Sequence, residues 1–576
     1  MKHNLWKKST LALALVMSAS TLVACGGGSN GNKDEAIDET KTQLYVAVVP
    51  SGYGDSWLYK SAEDFEKAFA EKSFEEGKTG VQVYVSADAP GGNTAASYLS
   101  GLSTEIILTE DVDYYNLVNS NFLYDMTDAV TGDMADVGEA GQTIEGKMSE
   151  DYIDFFKKDG KYYGLPFNVN NTGIVYDADL FDDESLYFEG TSTGKTENNE
   201  MPAKKTSGKY KFTDSTGTLS AGPDGKAGTA DDGLPATYEQ FFALCDEMVK
   251  NRSNLVPITW PGAYQFHIYR FMYCLWAANE GYEQMRLNYE FDGTATDLVE
   301  SISSDGTVTY MAETKIDSTN GYLLQKQAGR YYALSFVEQL VNNKNIYEED
   351  LCFGKAQLQT DAQDTFLMGA FNKEQKRTAM LVEGCHWENE ATDTFNRMEN
   401  RYGAKAAKAN RNFAFLPMPH PTEAEIGKKS VVCDAYNSAI FINGNIADNK
   451  KEVAETFVKF FHTRSQMAQF NQITSICRPY DYEMTKDEFN AMSSFGQSVY
   501  ENAKAADILS PYSSNPIAIK NYGVFNPLMT GIWTSKVGGS TYTSPSDSLR
   551  NNGVSAKAYF EGLAARYDQV WWQNNA

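Results

Sequence analysis

Loops rich in Tyr, Trp, Asn, Asp and Glu follow several apolar runs of this 576-residue chain. Tyr53, Asp55 and Trp57 come after the run 43–49, and Glu110 and Asp111 after the run 105–108. Asn168, Asn170 and Asn171 crowd one polar stretch, and Trp260 and Tyr264 lie in Thr-Trp-Pro-Gly-Ala-Tyr. Aromatic rings pack cores, and their faces also stack on sugar rings and bases. Amides donate to and accept from hydroxyls, and carboxylates accept from them. The same residues also read as solvated loop tips, helix caps and hinge turns, and both readings stay open at this point.

Motifs for covalent or metal-assisted catalysis are missing. The chain holds no H-E-x-x-H, no G-x-S-x-G, no Walker A and no S-x-x-K followed by K-T-G. The four histidines beyond residue 24, His267, His386, His420 and His462, have no metal-ligand spacing to one another. Carboxylate pairs are uninformative in so acidic a chain. Six cysteines follow residue 25, too sparse for a disulfide scaffold and without a C-x-x-C. Export would permit pairing of some, and buried free thiols fit equally well. The stretch 224–233 sets Asp224, Asp231 and Asp232 among glycines. That resembles a calcium loop but lacks the D-x-D-x-D-G spacing and the closing Glu. A structural Ca²⁺ and a plain acidic turn both fit, and no cofactor is required.

The elements that must position these loops follow from periodicity. Residues 43–49 (QLYVAVV) and 80–85 (GVQVYV) are strand-like, with an amphipathic helix between them opening at Ser61-Ala-Glu-Asp. With a third run at 105–108 this predicts doubly wound α/β structure. Further strands are expected at 173–176, 378–382, 413–416 and 438–442, and helices dominate 237–345. Irregular insertions cover about 183–236 and 287–318, the second with hairpin turns at Asp292-Gly293 and Asp305-Gly306. Asp and Glu number 77 against 50 Lys and Arg, a net −27. Such a surface repels nucleic-acid phosphates and anionic headgroups.

The N-terminus carries Lys2, Lys7 and Lys8, an apolar stretch from Leu11, then Leu22-Val23-Ala24-Cys25 and a Gly/Ser run. This reads as an export signal over 1–24 and resembles the lipobox of bacterial lipoproteins, in which Cys25 would be acylated. Residues 25–42 then form a polar tether. Cleavage would remove three lysines and leave a net charge of about −30.

Four segments together resemble the family 1 extracellular solute-binding proteins of ABC importers, the maltose-binding-protein group. They are Lys158–Phe167 with Gly173–Phe181, Ala379–Trp387, Phe413–Pro419 with Asn437–Ile442, and Lys451–Phe461 with Arg478-Pro479. Asp177 stands where the family has Asn after its Tyr. The resemblance implies an α/β, two-lobe periplasmic-binding-protein-like fold (type II), with doubly wound mixed sheets and hinge crossings. It divides the chain into lobe one, 43–168 and 437–477, and lobe two, 172–434 and 480–576.

The resemblance adds Trp387, Glu388, Asn389, Tyr436, Asn437 and Arg478 to the candidate ligand contacts. It implies a lipid-anchored, monomeric receptor on the outer face of the cell membrane, not an enzyme, which takes a carbohydrate and passes it to ABC permease subunits. Aromatic faces with paired Asp, Glu and Asn acceptors suit a sugar, and their abundance suits an oligosaccharide. A surface adhesin or sensor subunit of the same fold, and a secreted glycoside hydrolase, are the alternatives.

Overall fold

The computed structural model describes residues 36–49, 51–89, 91, 99, 104–190, 200–204, 208–434, 436–527 and 530–576. The export signal, Cys25 and the tether up to residue 35 lie outside the described residues. Among the elements, in chain order, are β1 (Thr42–Val48), α1 (Ser56–Ala68), β2 (Val81–Ser86), β3 (Ile106–Thr109), α2 (Glu150–Phe156) and β4 (Thr172–Asp177). They continue with α3 (Tyr238–Asn251), β5 (Leu255–Thr259), α4 (Phe266–Glu280), β6 (Arg377–Gly384), β7 (Phe413–Leu416), β8 (Ala439–Ile442) and α5 (Lys451–Phe461).

Two four-stranded mixed sheets carry the two lobes. The first has the order β8-β3-β1-β2, with β1 parallel to both neighbours and β8 antiparallel to β3. The second has the order β5-β6-β4-β7, with β5 parallel to β6 and β4 antiparallel to both of its neighbours. The central strands are buried almost throughout, which is why they read as continuous apolar runs rather than alternating ones. α5 lays Val453, Phe457 and Phe461 against sheet one.

Two local expectations are corrected. α1 does not open at Ser61; it starts at Ser56, with Asp55 at its N-cap position. Trp57, Leu58, Ser61, Ala62 and Phe65 share its buried face, so core packing extends the helix past the apparent capping box. Asp292-Gly293 is not a hairpin turn. Gly293 begins a short strand, 293–295, paired with 314–316 after a helix ends at Glu290. Asp305-Gly306 does turn a hairpin, between 299–302 and 308–310. All six described cysteines are buried and unpaired. No helix among the described residues is long and apolar enough to cross a membrane.

The chain passes between the sheets at points that lie side by side. Leu165 and Ile440 exchange backbone hydrogen bonds of 3.0 and 2.8 Å, and Val169 N–H donates to Cys477 O at 2.8 Å. Asn168 N–H donates to Ser438 Oγ at 3.0 Å. Asp434, fully buried, accepts from Tyr152 OH of α2 at 2.8 Å.

Candidate functional site

Ligands in open α/β sheets sit beyond the carboxyl ends of the strands. Here the loops after β1, β3, β5 and β6 converge there with the crossing residue Tyr436. Lobe one contributes a compact polar cluster. Ser51 Oγ donates to Glu110 Oε2 at 2.7 Å and Tyr53 OH to Glu110 Oε1 at 2.8 Å. Asn168 Nδ2 reaches Tyr53 OH at 3.2 Å and Glu110 at 3.4 Å, while its Oδ1 is buried without a partner among the described residues. Burial, then the neighbouring Glu110, push the Tyr53 phenol well above its ordinary range.

Asp111, in a left-handed conformation with φ 55°, donates its N–H to Tyr436 O at 2.9 Å. Its Oδ1 accepts from Tyr522 OH at 3.1 Å and Asn526 Nδ2 at 3.3 Å, and burial raises its carboxyl. Asn437 Nδ2 donates to Val112 O at 2.8 Å and Tyr522 OH at 3.3 Å.

Lobe two contributes the first two turns of α4 and the loop after β6. Arg270 lies over the Tyr436 ring at 4.2 Å and over Phe266 at 4.5 Å, and its Nη1 donates to Tyr436 OH. His386 meets Tyr436 edge-on with ring centroids 6.0 Å apart. Behind them Glu383 Oε1 stands 3.0 Å from His267 Nδ1 and 3.9 Å from His386 Nε2. Burial would raise Glu383, but His267 and then His386 outweigh it and hold it below the usual carboxylate value. Asn170 Oδ1 takes Cys385 Sγ at 3.1 Å and lies 3.3 Å from His386 Nδ1; Asn171 O accepts from Cys385 N–H at 3.0 Å. Gln363 Nε2 donates to Glu390 at 2.6 Å.

The lobes meet in this structure. A Cβ added at Gly52 would lie 2.8 Å from His386 Cδ2, so a larger residue there would have to displace the His386 ring where the β1 loop meets lobe two. Tyr282 OH donates to Asp151 of α2 at 2.6 Å, and Arg286 lies 3.4 Å from the same carboxylate. These contacts bridge α2 and the segment after α4.

The structure therefore brings Tyr53, Glu110, Asp111, Asn168, Asn170, Tyr436 and Asn437 together, with Asn171 beside them through its backbone. Asp55 is half-buried at the rim, and burial raises its carboxyl. Tyr264 packs on Phe266 with centroids 5.5 Å apart, near Arg270. The remaining residues point elsewhere. Trp57 is buried against Phe167, Phe461 and Phe470. Trp260 is buried against Tyr347 and Phe353. Trp387 sits among Phe366, Phe413 and Phe495, while Glu388 accepts from Ser493 at 2.7 Å and Asn389 donates to Thr474 O at 2.7 Å. Arg478 stacks on Phe461 at 3.9 Å and donates to its carbonyl at 3.1 Å; burial lowers it to about 10.

The acidic loop lies apart from the cleft. Asp224 Oδ1 accepts from Lys226 N, Asp231 Oδ2 from Asp224 N and Asp232 Oδ2 from Gly228 N, at 2.6–2.8 Å. Among the described residues no group of three or more His, Cys, Asp or Glu is placed to hold a metal ion.

Sequence reasoning missed Arg270, His267, His386, Glu383, Tyr522 and Asn526 as cleft residues. Arg270 sits inside an apolar helical pattern. Its one signal is the spacing to Phe266, i to i+4, one turn into the helix that follows a strand-end loop.

No protein-family model and no curated protein matches the chain. Solved structures do. One is a binding protein of an ABC transporter from Bifidobacterium animalis subsp. lactis in complex with mannobiose. It is 15% identical, with a TM-score of 0.52, over 95% of this chain and 97% of that one. Another is RafE from Streptococcus pneumoniae in its apo form, 12% identical, with a TM-score of 0.50, over 92% and 98%. This likeness is one of fold: the chain has the two-lobe architecture of solute-binding proteins.

Proposed function

We propose that this protein is a solute-binding receptor that captures a carbohydrate between its lobes and presents it to the permease of an ABC transporter. The observation that carries the reading is the convergence of strand-end loops from both lobes on Tyr436, with Glu110, Asp111, Asn168 and Arg270 around it. Acceptors and donors in one cleft match hydroxyls, which do both. The mannobiose complex of the similar fold supports the same ligand class. Ligand would shift a hinge equilibrium toward the closed arrangement, which the permease reads. The lipobox-like Cys25 would tether the receptor on the outer face of the membrane, at high effective concentration beside its permease.

The test is a thermal-shift screen of residues 36–576 against mannobiose, maltose, raffinose and chitin- and xylan-derived oligosaccharides, followed by chromatography of each sugar. A ligand at about 100 times its Kd stabilises by about 2.7 kcal/mol, a shift of a few degrees. A shift with the sugar recovered intact supports the receptor. A cleaved sugar points to a hydrolase, and no shift across the panel removes the carbohydrate reading.

A further inference from the structure

The arginines of this protein fall into groups that differ in what satisfies the guanidinium. Arg252, Arg286, Arg377, Arg397, Arg411, Arg464 and Arg550 each pair with a carboxylate. Arg330 and Arg478 have no ion pair among the described residues, but both are fully buried between aromatic rings and backbone carbonyls. Those two are core residues. Arg401 and Arg566 have no ion pair among the described residues either; both are exposed, each lying over the tyrosine that follows it. Arg270 differs from all of these: without an ion pair among the described residues, it is partly exposed and sits on the second turn of α4 in the interlobe cleft.

Its geometry is that of a prepared donor. Phe266 and Tyr436 lie 4.5 and 4.2 Å from its central carbon and fix its plane. Tyr436 OH takes one N–H of Nη1. Nε is buried without a partner among the described residues, a state it shares with Nε of Arg330, Arg478 and Arg550. A guanidinium carries five donors in a rigid fork, and leaving a buried one unsatisfied is costly. The nearby Glu110, Asp111 and Glu383 are occupied by Ser51 and Tyr53, by Tyr522 and Asn526, and by His267. Asp111 feels the charge of Arg270, but no carboxylate among the described residues lies within ion-pair distance of it, and its exposed part is open to an acceptor from outside the chain.

We propose that Arg270 is a ligand-contacting, specificity-determining residue, whose fork donates to a pair of neighbouring oxygens on the captured carbohydrate. This rests on the carbohydrate reading above. Tyr436 and Phe266 hold the fork flat, so two parallel hydrogen bonds form without loss of rotamer freedom at binding. Lysine would retain the charge and lose the paired geometry.

The experiment measures calorimetric binding of each sugar that shifts the wild-type protein, on wild type, Arg270→Gln and Arg270→Lys, with ligand-free melting temperatures alongside. Charge-assisted hydrogen bonds of this kind predict a loss of roughly 10- to 100-fold in affinity for Arg270→Gln. Arg270→Lys should lose about fivefold or more, and both ligand-free proteins should melt within a few degrees of wild type. Wild-type affinity in either variant overturns the assignment and leaves the carbohydrate reading standing. A large fall in ligand-free melting temperature in both variants makes Arg270 a structural residue and also overturns it. A wild-type protein that binds no sugar overturns the reading and the assignment with it.

Discussion

Three tryptophans of the lobe cores and three tyrosines of the interlobe floor are placed differently. Trp57, Trp260 and Trp387 are packed inside, with 0–1% of their surface exposed. The floor is built on tyrosines, Tyr53, Tyr436 and Tyr522, whose hydroxyls meet Glu110, Arg270 and Asp111. Burying an indole removes the most apolar area from water, so a large core takes it. A phenol that keeps its hydroxyl on a charged partner stays ordered in a polar cleft. Aromatic content alone therefore says little about where a ligand lies.

The contrast breaks most visibly under substitution. Trp387→Ala should lower stability by about 3–5 kcal/mol in denaturant unfolding, because it leaves a cavity among Phe366, Phe413 and Phe495. A loss below about 1 kcal/mol would make Trp387 a surface residue in solution. Tyr53→Phe, on the floor, should cost about 1.5–3 kcal/mol, the worth of one hydrogen bond to a charged group, while sugar affinity falls more steeply. Equal losses in stability and binding would erase the distinction.

Asp434 sharpens the comparison, since it is a carboxyl of the crossings that lies as deep as the core. Burial pushes it up to about 7, against the lowering by Tyr152 OH and the N–H groups of Tyr436 and Asn170. Between its ordinary value of 3.8 and about 7 the native state holds a proton that the unfolded chain has released. This group's contribution to stability is therefore present below pH 4 and lost as pH rises to about 7. Asp434→Asn removes that slope. Its melting temperature relative to wild type should climb from pH 5 to pH 7 and level off above; parallel curves would refute the buried ionisation.

The smallest effect is expected at the surface pair Arg464–Glu488, 2.7 Å apart, which holds Glu488 down to about 2. Both side chains meet solvent, so Glu488→Gln should cost less than about 1 kcal/mol, and less again at high salt.

Much of the scaffold was legible in the chain. The runs 43–49, 80–85, 173–176, 378–382 and 413–416 match strands to within a residue or two, because strands buried on both faces must be continuously apolar. The start of α1 and the role of Asp292-Gly293 were not legible. The first depended on room for Trp57 and Leu58 in the core, and the second on a partner strand twenty residues away.

For the cleft, residue type and strand-end position pointed to Tyr53, Glu110 and Asp111, and the polar crossing to Asn168; the structure places the four side by side. Local sequence could not say that Trp387 turns inward while its neighbour His386 faces Tyr436 and Gly52. Nor could it show that Arg270, inside an apolar helix, would have no carboxylate of the kind that Arg286 and Arg411 find among the described residues. Strand, helix and charge balance are properties of short stretches. Which side chains meet across the cleft depends on crossings that join residues 168, 270, 386 and 436, and packing in three dimensions alone brings those together.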